Sequence, residues 1–409
     1  MKRVVITGMG VVSPLGNDVE SFWQNLTAGK SGIRPLTKLS AGSYQGSPLA
    51  AEIDWQEEDG DEALAACGMA TQYALKAARQ GLADAGLPIY HQKRNNIGVI
   101  IGTTNSNQDI MDRTLQAFDI NSNDQEWTED ASEMFSHFRP IELSTTVAKY
   151  CNLGGPSIVI PTACAAGNYA IGTAYSLIQR GRSNIIIAGG ADAFNRSCYT
   201  TFYRLGGMTQ KDCRPFDKDR TGMIVGEGAG MLILEELEHA KKRNARIYGE
   251  VKGYALTCDA YHRVAPDPEG KGASRAIALA LEKSGVRKEE IDLISAHGTG
   301  TPANDAQEVK ALNQVFGSDL KHIPISALKS MLGHCMGAAS AMEAIAGILS
   351  IERQVIPPTL NTQHIDPRFP IEVDVNPGTA KNTPVRNVLS NAFGFGGNIC
   401  SVVLGTVAA

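Results

Sequence analysis

The run IVIPTACAAGNYAIGTAYSLIQ, residues 158–179, passes from a short strand into a helix of small residues, with a single cysteine, Cys164, at the junction. Ile158-Val159-Ile160 reads as the strand. From Ala165 to Gln179 the small and apolar residues read as one helix. The order returns in IPISALKSMLGHCMGAASAMEAIAGILSIE, residues 323–352: strand Ile323–Ile325, then Lys329, then helix Cys335–Glu352. Three more echoes surround this pair. Apolar runs open at Val4–Gly8 and Ile247–Val251. Amphipathic helices end at Gly86 and Gly285, before buried strands Ile97–Gly102 and Ile291–Ala296. Gly-x-Gly segments at Gly226–Gly230 and Gly394–Gly397 feed strands at Met231–Leu234 and Ile399–Leu404. Echoes in one order and with near-equal spacing argue for a duplicated α/β unit, residues 1–246 and 247–409, packed face to face. Alternating strands and helices predict mainly parallel sheets with helices on their faces.

Composition narrows the function. The 409 residues are 43% hydrophobic and carry a net charge of −5. Such a chain has material for a large core but no basic field to gather phosphates, which argues against nucleic acid. Lys241-Lys242-Arg243 is too short to change that and reads as a solvated face. The opening MKRVVITGMGVVSPLG lacks the unbroken apolar stretch of a signal peptide, and no window approaches a membrane span. The eight cysteines show no CxxC and no paired ligand spacing. They read as free thiols of a reducing compartment, so a cytoplasmic chain without a metal is expected.

Chemistry concentrates at the junctions. A nucleophile on a sharp strand-to-helix turn is lifted from the sheet, and Ala163, Ala165, Ala166 and Gly167 leave room for a substrate to approach. The following helix aims its positive end at the sulfur of Cys164, favouring a thiolate by up to ~2 kcal/mol. Cys67, Cys151, Cys198 and Cys400 read as small core residues; Cys258 and Cys335 sit on no comparable turn. His297 follows a strand, at the carboxyl end where open α/β sheets place ligands. His334 stands at the entrance of the second small-residue helix, which a pseudo-twofold would turn toward Cys164. Most other histidines (His91, His137, His239, His322, His364) read as hydrogen-bonded structural residues, while His262 in a loop fits either reading. Two neutral imidazoles beside a thiol suit stabilisation of an enolate oxygen and proton movement better than simple hydrolysis.

The motifs TAC-x-x-G at Cys164, HGTGT at His297, K-S-x-x-GH at Lys329–His334 and FGFGG at Phe393–Gly397 occur in that order. With RPFDKDRTGMIVGEGAGMLILEELEHAKKR (214–243), the set resembles the β-ketoacyl-acyl-carrier-protein synthases, nearest the synthase II branch, from residue 1 to about 405. The resemblance implies a thiolase-like fold in α-β-α-β-α layers and a decarboxylative Claisen condensation. In that reaction an acyl chain moves from carrier-protein phosphopantetheine to Cys164, and the enolate of malonyl-carrier protein attacks the thioester. It implies that His297 and His334 support the enolate and that Lys329 assists, paired with Glu308. It implies an oxyanion hole from the backbone N–H groups of Cys164 and Phe395, with Phe395 also a gate. Substrate contacts are implied at Asn105, Phe202, Thr299, Thr301, Gly396 and Asn398. No metal or diffusible cofactor is implied; the implied partners are an acyl carrier protein and a second subunit, identical or chain-length-factor-like.

Four departures point to a specialised polyketide or polyene ketosynthase. Asn398-Ile399 replace Thr-Asn after FGFGG. Thr103-Thr104-Asn105-Ser106-Asn107 replace a glycine-rich loop, placing Asn105 where an aliphatic side chain usually closes the acyl tunnel near a dimer interface. The stretch Asp119–Glu133 is unusually acidic. The helix at Glu62–Cys67 lacks the cations expected for carrier docking, leaving Arg204, Lys211 and Arg214 for that task. Rival readings are weaker. A non-catalytic partner subunit would lack the cysteine. A thiolase would need a second catalytic cysteine near the C-terminus, and Cys400 falls in a predicted strand. A dehydrogenase would need a third glycine where Ser13 stands after Gly8-x-Gly10.

Overall fold

The computed structural model describes residues 1–46, 48–55, 62–87, 94–117 and 129–407. His91 and most of the acidic stretch Asp119–Glu133 lie outside the described residues. Ten strands form the large sheet: β1 (Val4–Val12), β2 (Ile97–Gly102), β3 (Ser157–Ile160), β4 (Ile185–Asp192), β5 (Gly228–Glu236), β6 (Gly249–Cys258), β7 (Leu293–Ser295), β8 (Ile325–Ser326), β9 (Asn387–Gly394) and β10 (Asn398–Gly405). Their order is β8-β7-β9-β10-β6-β1-β5-β4-β2-β3. Read outward from the centre, each half runs first, fifth, fourth, second, third strand, so the duplication seen in the sequence is a duplication of topology.

The halves do more than face each other. They join edge to edge where β1 pairs antiparallel with β6, Val4 opposite Val251. The expectation of mainly parallel strands needs one amendment in each half, because β5 and β10 run against both neighbours. For β10 the cause is local: the tight turn after Gly394 makes β9–β10 a hairpin, and a hairpin cannot be parallel.

Helices α1 (Met69–Asp84), α2 (Ala166–Gln179), α3 (Lys271–Ser284), α4 (Pro302–Phe316) and α5 (Ala339–Arg353) supply the layers. α1 and its sheet enclose one core around Tyr73, Ala77 and Ile233. α3 and α4 enclose another around Ala276, Ile277 and Leu312. Between the two halves of the sheet lie α2 and α5, sharing the largest core with Ile171, Ile345 and Leu232. Every residue of α5 from Ala339 to Ile351 is buried, as a helix without a polar face must be. Gly167 lets the two central helices meet: a Cβ there would stand 2.7 Å from the Ala341 nitrogen. The thiolase-like layering α-β-α-β-α expected from the sequence is the architecture observed.

The junctions themselves repeat. Ala163 and Met336 are non-glycine residues in the left-handed region, at φ 52° and 50°, each opening a 3₁₀ turn that leads into α2 or α5. The backbone counterpart of Cys164 is therefore Gly337, not Lys329, which sits one segment earlier in a short helix, Lys329–Leu332. The second helix correspondingly begins at Ala339, with the 3₁₀ turn accounting for the residues before it.

Candidate active site

Cys164 lies at the strained turn between β3 and α2 and is buried. The loop after β7 brings His297, and the segment before the second turn brings His334. His334 is fixed by its backbone: its N–H donates to the Ile224 carbonyl at 2.6 Å, and its carbonyl accepts from the Gly226 N–H at 2.9 Å. The two imidazoles meet edge to face, ring centres 5.5 Å apart, and His297 lies equally close to Phe393. One mostly apolar cavity is lined by Cys164, His297 and His334 together with Phe202, Thr299, Thr301, Phe395 and Val264. These residues come from segments far apart in the sequence.

Burial sets the protonation states. His297 is held well below the usual imidazole range by burial, with Lys329 and His334 adding to it; burial and Lys329 do the same to His334. Both rings are therefore neutral at pH 7, and each keeps one N–H that can donate to an oxyanion. Each Nδ1 is buried without a partner among the described residues, a cost that a bound guest would relieve. Cys164 departs from the sequence expectation. Burial pushes its thiol up to about 12, with Lys329 opposing. The helix end, worth ~2 kcal/mol at most, does not overcome that desolvation. The resting nucleophile is a thiol.

Lys329 and Glu308 do not pair. Lys329 Nζ donates to Glu343 of α5 at 2.5 Å, both side chains being buried. Glu308 of α4 instead accepts the backbone N–H groups of His297 and Gly298, at 2.8 and 2.9 Å. It thus holds the loop in which Gly298 adopts φ +39° and a Cβ would come 2.7 Å from that of Ala327. Burial raises the Glu308 and Glu343 carboxyls to about 7 against these stabilising partners.

The remaining sites divide. Thr299 and Thr301 share a 2.9 Å hydroxyl hydrogen bond on the cavity wall. Phe395 packs on Phe202, ring centres 5.4 Å apart. The backbone before it runs against the cysteine turn, where a Cβ on Gly394 would approach the Thr162 oxygen to 2.9 Å. Asn398 and Gly396 are not in the cavity lining; Asn398 Nδ2 donates to the Phe395 carbonyl at 2.9 Å and caps the turn, with Gly396 at φ +77°. Asn105 is also outside the lining. Its N–H donates to Asp192 Oδ1 at 2.7 Å, and its buried side chain lies against the Cys198 thiol. His262 is structural: its Nδ1 accepts from the Val264 and Ala265 N–H groups, at 3.1 and 3.0 Å. Cys400 is buried in β10.

Two acids that hold the site together escaped the sequence reading. Glu343 had a signal, being a carboxylate inside an otherwise apolar helix. Asp192, ending the apolar strand β4, accepts the N–H groups of Thr104, Asn105, Ser106 and Gly337, at 2.8, 2.7, 3.2 and 2.6 Å.

Comparison with known proteins agrees with this geometry. Residues 1–240 match the family described as Beta-ketoacyl synthase, N-terminal domain, and residues 248–363 match Beta-ketoacyl synthase, C-terminal domain. A 3-oxoacyl-[acyl-carrier-protein] synthase 2 of Synechocystis is 39% identical, covering 97% of this chain and 96% of its own. A solved structure described as the ishigamide ketosynthase/chain length factor superposes with a TM-score of 0.92 at 41% identity, covering 100% of both chains. A type II polyketide ketosynthase solved in complex with its acyl-carrier protein, AntDE:AntF, gives 0.90 at 32% identity, covering 99% of this chain and 100% of that one. Among the described residues, no helix is long and apolar enough to cross a membrane.

Proposed function

This chain belongs to the β-ketoacyl synthase family, and from that premise we propose that it is a ketosynthase condensing an acyl thioester on Cys164 with malonyl-acyl-carrier protein. The observation that carries the reading is the meeting of Cys164, His297 and His334 on one apolar cavity. The acyl carbonyl carbon is attacked by Cys164 sulfur, and the carrier's pantetheine thiol leaves with the proton. The tetrahedral oxyanion is held by the N–H groups of Cys164 and Phe395. Malonyl thioester then loses CO₂, with neutral His297 and His334 donating to the enolate oxygen. The enolate carbon bonds to the acyl carbon as the thioester C–S bond breaks, and the departing Cys164 thiolate takes a proton from solvent to restore the resting thiol. The Lys329–Glu343 pair supports the imidazoles electrostatically. The reaction draws on no metal or diffusible cofactor, only on the carrier's pantetheine arm, for which Thr299 and Thr301 offer hydroxyls on the cavity wall.

The substrate is a specialised polyketide or polyene chain, processed in the cytoplasm. The kinship in sequence and shape to the ishigamide ketosynthase/chain length factor supports this, as does the polar loop at Asn105. The partners are an acyl carrier protein and a second subunit, identical or chain-length-factor-like. Carrier docking falls to Arg204 and Lys211, both exposed, more than to Arg214, which pairs with Asp212 at 3.2 Å. The test is intact-mass analysis after incubation with saturated and polyunsaturated acyl-carrier proteins. Wild type should gain the acyl mass and Cys164→Ala should not; an adduct kept by the variant refutes the nucleophile. Robust elongation of palmitoleoyl chains would refute the specialised substrate while leaving the chemistry intact.

A further inference from the structure

Away from the cavity, three side chains of mixed donor type converge. The Sγ of Cys67, a ring nitrogen of His137 and a carboxylate oxygen of Glu142 all lie within 4.8 Å of one another. We propose that Cys67, His137 and Glu142 form a binding site for one transition-metal dication of the zinc class, a site separate from the condensation chemistry.

The donor set selects the ion. One sulfur, one imidazole nitrogen and one carboxylate oxygen suit zinc or cobalt(II), and a thiolate turns the site away from magnesium and calcium. A thiolate and a carboxylate cancel the two positive charges, so the inner shell is neutral. Three protein ligands leave a fourth position for water. Around a tetrahedral ion the donors stand roughly 3.3–3.8 Å apart. The 2.9 Å hydrogen bond between His137 Nδ1 and Glu142 Oε2 would open by less than an ångström, and a separation at the 4.8 Å limit would close by roughly 1.0–1.5 Å.

The backbone around each ligand is already fixed. The Cys67 carbonyl accepts from Arg113 and Gln72, at 2.9 and 3.0 Å, just ahead of α1. The His137 carbonyl accepts from Asn107 Nδ2 at 3.1 Å. Glu142 opens the helix Glu142–Tyr150. The thiol is buried, while the side chains of His137 and Glu142 are 21% and 13% exposed, so an ion has access from their side. Without an ion the thiol donates to the Ala63 carbonyl at 3.4 Å and has the Thr146 hydroxyl beside it. Because Asn107 also accepts from Thr71 at the start of α1, a bound ion would tie α1, the 137 turn and the loop that carries Asn105.

Binding displaces water from the ion and the thiol proton from Cys67; that proton passes to buffer as the metal–sulfur bond forms. The test uses the full chain, stripped by chelator and titrated with Co²⁺. One equivalent should give a near-ultraviolet thiolate-to-cobalt band and the visible bands of a tetrahedral ion. Zinc should displace it, and calorimetry in two buffers should report one proton released. Cys67→Ser should abolish the thiolate band, and His137→Ala, at a partly buried position, should weaken binding at least about tenfold. Cys258→Ser, removing the exposed cysteine, should leave the band unchanged. No loading, a band that survives Cys67→Ser, or one that vanishes with Cys258→Ser would overturn the site.

Discussion

The ammonium of Lys329 donates to the carboxylate of Glu343 at 2.5 Å, with side chains only 1% and 2% exposed. Removing one member strands a charge in the central layer. Lys329→Met and Glu343→Gln are each expected to cost about 3–5 kcal/mol of unfolding free energy. The double variant should cost clearly less than the two single losses combined, because neither charge is left alone. Urea titration of the four proteins measures the coupling, and additive losses would contradict a shared pair.

The thiol state of Cys164 has a kinetic signature. Raised to about 12 by burial, it is protonated throughout the neutral range and becomes thiolate only as pH climbs toward that value. Modification of Cys164 by iodoacetamide, followed by peptide mass spectrometry, should accelerate roughly tenfold per pH unit from 7 to 9 without levelling. A plateau below pH 8 would mean that the helix end outweighs burial.

How far the sequence reached depends on what each contact uses. Cys164, His297 and His334 were legible because each sits at a junction with small neighbours, and a duplicated topology returns both junctions to one cleft. The partner of Lys329 was not legible. Glu308 stands in the motif and Glu343 in a helix that reads as core, and only packing decides that the carboxylate of α5 reaches the lysine while Glu308 is taken by two backbone N–H groups. Asn398 and Gly396 stand next to the lining residues Phe395, Gly397 and Ile399, and the hairpin turn uses both in its own geometry. The turn shows only the helix end, which favours a thiolate modestly; the burial that raises the Cys164 thiol comes from the layers packed around it.

Glu308 acts through the backbone it holds. Glu308→Ala leaves the buried N–H groups of His297 and Gly298 without acceptors, at about 1–3 kcal/mol each. Glu308→Gln keeps one acceptor oxygen and should fall between wild type and alanine. Thermal denaturation orders the three; equal losses for Gln and Ala would show that the two N–H bonds are not what Glu308 contributes.

The neutral imidazoles predict a split between half-reactions. His297→Ala and His334→Ala each remove an oxyanion donor, and malonyl decarboxylation should fall roughly 10²–10³-fold. Acyl transfer to Cys164, which relies on backbone N–H groups, should be much less affected. Measuring CO₂ release and acyl-enzyme formation separately tests this, and equal loss of both would place the histidines in acylation instead.

Asp192 joins the two halves of the molecule. One oxygen takes the N–H of Thr104 beyond β2 and that of Gly337 at the second turn, while the other takes Asn105, Ser106 and the Thr103 hydroxyl at 2.8 Å. Burial raises its carboxyl to about 6, against those donors, so at neutral pH it is an anion satisfied almost wholly by backbone. Asp192→Asn preserves volume but turns one face into a donor pointing at N–H groups. It should therefore disturb both segments, costing stability through unpaired N–H groups and slowing condensation through the turn beside His334. Asp192→Glu keeps the charge and adds one methylene, so it should recover part of the rate. Turnover and urea stability for both variants decide the matter: if asparagine matches wild type in each, the carboxylate is not the tie between the halves.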